Sequence, residues 1–430
     1  MRRGNSVWPW HEVVDGYERH VGSATARTAA RRVVPVEARS AGTRVWDVDQ
    51  REYLDCSGSG VFPLGHGHPA VLEALHRQLD RHSVATGTLL SGELADAARR
   101  LAAICPPGLD RVHFGCTGAE TVRTARRLAW ALGRRRVITM DGGYLAMTLG
   151  GAVTGGPRGV GRDQGAAART TGDQVRPEVV TVPYGDVPAV RRALAQDGGG
   201  GCCVVVEPVQ AEGGVRVPPP GYLREVAEAC HRTGALLVVD EIHTGLGRLG
   251  AWWGCAVEGV TPDLLLTGEG LGGGCVPVSA VVGTEEVFAP MGRDPLLHAS
   301  TFCGYPLGMA AVTATLEVMD REYVPARAEH LGKRLLDGLS CAVRPVVPYQ
   351  VRGVRGQGLL LGVELADAHL AGRFTQGLLD RRVLAGQCLG DSAVVRLCPP
   401  ASLTDAEVDW VVNAVGEAAA ALARDLRYAW

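Results

Sequence analysis

Leu236-Leu237-Val238-Val239-Asp240-Glu241-Ile242-His243 is an apolar run that ends abruptly in acid. Four consecutive apolar residues, two of them β-branched, suit a strand covered on both faces, as in a parallel sheet. Similar runs stand at Val137-Ile138-Thr139-Met140, Val179-Val180-Thr181-Val182 and Cys203-Val204-Val205-Val206. Helical patterns over 118–133, 187–196 and 221–233 separate them. The alternation predicts an α/β fold, a mostly parallel sheet covered by helices. A carboxylate past the C-terminal edge of such a sheet stands where α/β folds bind ligands. Asp240 is therefore a candidate site residue, although a helix cap or loop acid has the same signature.

Outward from that core the pattern changes. From about residue 320 two long helical patterns (325–339 and 404–424) surround short strands (358–364 and 394–397). These predict a smaller α+β terminal domain, residues 320–430, beside a large domain at 61–319. Residues 1–60 are expected to pack with the terminal domain, because Thr43-Arg44-Val45-Trp46-Asp47-Val48-Asp49 reads as a hairpin strand. The Gly-, Ala- and Arg-rich stretch 150–175 reads as a surface loop, and Gly198 to Gly201 as a turn.

Composition excludes several classes. The 430 residues carry a formal net charge of −2, so no field draws nucleic acid or anionic membrane. Apolar stretches are short and interrupted, and the N-terminus lacks a signal-peptide core. Twelve cysteines in so long a chain suggest no disulfide framework, and a reduced, cytoplasmic setting is expected. His66 and His68 have no further ligand at metal-binding spacing, so no metal site is expected.

Other motifs carry chemistry. Gly115-Cys116-Thr117-Gly118-Ala119-Glu120 follows a strand and opens a helix, where free N–H groups and the helix dipole favour phosphate. Arg396, in Val394-Val395-Arg396-Leu397, offers the planar fork that suits a carboxylate. With Asp240–Arg248, Tyr144 after Asp141-Gly142-Gly143, Glu207-Pro208-Val209-Gln210-Ala211-Glu212 and Ser300-Thr301-Phe302, these segments resemble the class III (fold-type I) pyridoxal phosphate-dependent aminotransferases, of the ornithine/ω-aminotransferase kind, over roughly residues 40–415. The resemblance implies a role for each. Asp240 would pair with the cofactor's pyridine nitrogen, Ile242 pack on one ring face, Tyr144 stack on the ring, and His243 lie near the phenolic oxygen. Thr117, Gly118 and Ala119 would cup the phosphate, with Thr301 reaching the phosphate of a neighbouring subunit in a homodimer. Arg396 would clamp a substrate carboxylate, with Glu212 masking it.

The chain departs from that family at one decisive place. Leu264-Leu265-Leu266-Thr267-Gly268-Glu269-Gly270-Leu271 resembles the turn that carries the Schiff-base lysine, and here the residue is Glu269. The chain's only lysine is Lys333, in an amphipathic helical pattern far along the sequence. Leu145 and Ala146 replace the usual His-Gly after the stacking aromatic, and His243 replaces a frequent Gln. Glutamate cannot tether an aldehyde, but it can act as general acid or base. It also places an anion near Asp240 and Glu212; like charges about 4 Å apart repel by roughly 4 kcal/mol at an effective dielectric near 20. A cofactor form that brings its own ammonium, pyridoxamine phosphate, should therefore be preferred over free pyridoxal phosphate. The expected function is an aminotransferase-like enzyme of specialised metabolism, acting on an amino-acid-type substrate through noncovalently held PLP or PMP, with Glu269 and Asp240 as the catalytic pair. The alternatives are a cofactor-independent enzyme reusing the pocket, a non-catalytic homologue, and an engineered Lys→Glu variant of an ordinary aminotransferase.

Overall fold

The computed structural model describes residues 8–58, 63–145, 178–196, 200–294, 297, 300–346 and 349–427, less the side chains of 31 and 425–427. Ala146, the 150–175 stretch, Gly198 and Gly199 lie outside the described residues.

Fifteen strands are described: β1 Glu37–Ala41, β2 Arg44–Asp47, β3 Glu52–Asp55, β4 Arg111–Gly115, β5 Arg136–Met140, β6 Glu178–Val182, β7 Cys202–Val206, β8 Leu236–Asp240, β9 Leu264–Thr267, β10 Ser279–Gly283, β11 Val351–Gln357, β12 Leu360–Leu365, β13 Val383–Leu384, β14 Gly386–Gln387 and β15 Val394–Leu397. The apolar runs form a seven-stranded sheet in the order β4-β10-β9-β8-β7-β5-β6. Its pairings are parallel from β6 through β9, and only β10 runs against its neighbours.

Burial of both faces explains why these strands are continuously apolar. Successive strand side chains point to opposite sides. Ile138, Val204, Val206, Leu237, Val239 and Leu265 enter one apolar cluster, while Val137, Cys203, Val205, Leu236, Val238 and Leu264 enter another. The second cluster is closed by Val122, Ala125 and Leu128 from the helix Gly118–Ala131. The first is closed by Val190, Leu194, Leu223 and Val226 from the helices Val187–Ala195 and Tyr222–Thr233.

The remaining strands build two smaller sheets, β1-β2-β3-β13 and β11-β12-β15-β14. In the former, the early strand β3 pairs in parallel with the late β13. Thr43 donates to Glu407 at 2.6 Å, and Arg44 reaches the same carboxylate at 3.0 Å. Thr43 and Arg44 thus tie the β1–β2 hairpin to the helix Asp405–Arg427. The antiparallel sheet carries Arg396 on β15 and sets it opposite Gly362 of β12. Two short N-terminal helices, Trp10–Gly16 and Ser23–Arg32, were not legible from periodicity.

Candidate active site

Two strand ends of the large sheet and strand β15 of a smaller one converge on one cavity. Its walls include Ile242 and His243 after β8, Glu269 after β9, Arg396 on β15, and Arg248 and Gly58 from connecting segments. This is the C-terminal edge of the parallel strands, where ligands bind in α/β sheets.

Asp240 ends β8 at 4% exposure. Its Oδ1 accepts the Ile242 N–H at 3.0 Å, while its Oδ2 is buried without a partner among the described residues. Burial pushes its carboxyl up to about 7. An orphaned buried oxygen of this kind calls for a donor.

Ile242 joins two turns. A Cβ on Gly118 would meet Ile242 Cδ1 at 3.0 Å, and one on Gly268 would meet its Cγ2 at 3.3 Å. Glycine at both places lets the helix 118–131 and the Glu269 turn close on one side chain. Glu269 begins a 3-10 turn and is itself exposed toward the cavity. Burial lowers the His243 imidazole, and Glu269 opposes that. His243 meets the Tyr144 ring edge-on, with centroids 5.5 Å apart.

The helix 118–131 opens with a reciprocal cap. Thr117 Oγ1 accepts the Glu120 N–H at 3.2 Å, and Glu120 reaches back to the Cys116 N–H at 2.8 Å. Ser279 of β10 donates to the Thr117 carbonyl at 2.9 Å and fixes the turn. Geometry leaves the first-turn N–H groups of Gly118 and Ala119 without intrahelical acceptors.

Arg396 and Glu212 form a buried ion pair. Glu212 also accepts the Leu389 N–H at 2.8 Å. Thr301 is not among the cavity walls; it is exposed on a turn whose Cys303 thiol lies 3.7 Å from His113 Nε2. Lys333 is exposed on the helix Val324–Val343 and pairs with Glu329 at 2.6 Å. His66 and His68 each meet a different carboxylate, Asp55 at 2.9 Å and Glu322 at 3.2 Å.

The Aminotransferase class-III family matches residues 25–419. The chain belongs to the class III aminotransferase family. Among solved structures, an ornithine aminotransferase from Toxoplasma gondii is 29% identical, with 98% of this chain and 96% of that chain covered at a TM-score of 0.83. An (S)-enantioselective ω-transaminase from Thermomicrobium roseum is 27% identical, over 96% and 98% of the two chains, at 0.82. An acetylornithine aminotransferase from Elizabethkingia anophelis is 26% identical, over 95% and 98%, at 0.80. The fold is that of the fold-type I aminotransferases.

Within this class III aminotransferase chain, reasoning from sequence passed over Glu207. It is 7% exposed and accepts the Tyr144 N–H at 2.8 Å. The signal was present: Glu207 follows the apolar run of β7 as Asp240 ends that of β8.

Proposed function

We propose that this chain is an aminotransferase-like enzyme that holds PLP or PMP without a covalent bond and uses Glu269 as the acid/base group on an amino-acid-type substrate. The observation that carries this reading is the absence of an amine: the chain's single lysine stands on an outer helix, and the cavity presents a glutamate at the turn after β9.

The residues fit such a cofactor. Asp240 Oδ2 lacks a donor that a protonated ring nitrogen supplies, and the Gly118–Ala119 turn suits a phosphate. Ile242 and Tyr144 offer apolar and aromatic surface. The bound ring would draw electrons from the substrate bond being broken. Glu269 reaches the open side of the cavity, where it can take or return a proton. Neutral His243 at its side can hydrogen-bond without adding charge. Arg396 offers a carboxylate clamp once Glu212 releases it. Thr301 is the neighbouring subunit's contribution to the phosphate. A homodimer is supported by the exposure of Leu89, Leu90 and Phe302, large apolar side chains unsuited to water.

Titration with the two vitamers tests the reading. Pyridoxamine phosphate should bind about tenfold or more tighter than pyridoxal phosphate; equal or reversed affinity counts against Glu269 as the selecting charge. Borohydride should fix no pyridoxyl group to the native chain, whereas in Glu269→Lys it should label the peptide 264–274. A label on Lys333 of the native chain overturns the proposal.

A further inference from the structure

Glu207 and Asp240 end neighbouring parallel strands. Val206 is paired with Val239, so the next step in register sets Glu207 beside Asp240. Cys203 and Val205 on one strand, and Leu236 and Val238 on the other, all face the helix 118–131. Alternation carries Glu207 and Asp240 onto that same face, with strands about 4.8 Å apart. Both carboxyls are buried, and neither forms an ion pair among the described residues.

Among the described residues no cation separates them. Glu212 faces Glu207 from the same segment, and its charge is taken by Arg396. Glu241 faces Asp240 from its own strand end and is held by Thr244 and Cys255. Arg216, on the adjoining hairpin, is turned to Asp141 at 3.8 Å. The Tyr184 hydroxyl donates to the Glu207 carbonyl, not to its carboxyl. Two unscreened carboxylates this close cost several kcal/mol, and one proton between them removes that cost.

We propose that Glu207 is a positioning residue for Asp240: the two carboxyls hold one proton between them, and its place sets both the charge at Asp240's open oxygen and the grip on the Tyr144 backbone. With a cationic N–H donor at Asp240, that residue carries the charge and Glu207 keeps the proton. A neutral Glu207 holds the Tyr144 N–H less strongly than a carboxylate does. Arrival of a ligand at Asp240 is thereby felt at the Tyr144 ring. Gly143 makes the contact feasible, since a Cβ there would stand 3.1 Å from Glu207 Oε1. Burial and the facing Asp240 push the Glu207 carboxyl above its ordinary value, and burial raises Asp240 as well. The ligand half of this proposal rests on the cofactor reading above; the shared proton does not.

The test is the amide shift of Tyr144 against pH in cofactor-free protein labelled with ¹⁵N-tyrosine, the peak being identified by its loss in Tyr144→Phe. The midpoint should lie at least two pH units above the ~4.3 of a free glutamate. It should fall by about a unit or more in Asp240→Asn, and the titration should vanish in Glu207→Gln. A midpoint in the ordinary range, or one unmoved in Asp240→Asn, overturns the shared proton. Should Asp240→Asn not fold, the native midpoint and the silent Glu207→Gln decide. Pyridoxamine phosphate should move the midpoint by about half a unit; binding that leaves it in place overturns the link to Tyr144. A vitamer that perturbs no amide at all removes the cofactor reading, while the cofactor-free titration still judges the shared proton.

Discussion

Glu207 and Glu212 sit five residues apart on one segment, both buried, and solve the problem of a buried charge in opposite ways. Glu212 meets a guanidinium from another sheet in a buried ion pair. Glu207 meets a backbone N–H and a second acid, and is driven toward its neutral form. The contrast assigns the two ends of the cavity different tasks. On the proposed reading, the Arg396 end is a latch that opens for a carboxylate, and the Asp240 end is a reservoir whose charge follows what is bound.

The largest way to break the contrast is to strand one member of the latch. Arg396→Ala leaves Glu212 buried without its cation and should cost about 3–5 kcal/mol of stability. Arg396→Met combined with Glu212→Leu should recover most of that loss. Denaturant unfolding of the three proteins checks both, and a single mutant as stable as the native chain would show that water reaches the pair.

The reservoir end should respond to pH instead. A free glutamate titrates near 4.3, and burial beside Asp240 pushes Glu207 up to about 8. Between those values the folded chain holds a proton that the unfolded chain has released. The stability Glu207 contributes is therefore full below pH ~4 and is lost as pH rises toward ~8. Glu207→Gln keeps an acceptor for the Tyr144 N–H and does not titrate. Relative to the native chain it should gain on the order of 1–3 kcal/mol between pH 5 and pH 8. Melting curves at the two pH values measure this, and a constant difference would mean Glu207 is already ionised.

How far the sequence reveals this contrast depends on which interactions are local. The strands of the central sheet are written as continuous apolar runs because both faces are buried, and Asp240 marks where one of them stops. Arg396 and Glu212 could be named from motifs, and their meeting, a long-range contact between β15 and the segment after β7, was expected only through the family resemblance. Glu207 was quoted and not singled out, because an acid after a strand is ordinary until register places another acid beside it. Ile242 is named only through the resemblance, and the close approach of Gly118 and Gly268 to it appears only in the structure. Thr301 is legible as a motif, and in the structure it stands on an exposed turn outside the cavity walls.

The smallest effect tests the comparison from outside the cavity. Lys333 is the one amine side chain, and on the helix Val324–Val343 it makes an exposed i,i+4 pair with Glu329. Such pairs contribute about 0.3–0.5 kcal/mol, so Lys333→Arg should leave the melting temperature almost unchanged. It should also leave the affinity for both vitamers unchanged, because nothing places that amine near Asp240, Glu269 or Arg396. A twofold change is within what surface charge can do. A loss of a hundredfold would mean that the amine reaches the cofactor after all, and the cavity would then have to be rebuilt around a tether it does not contain.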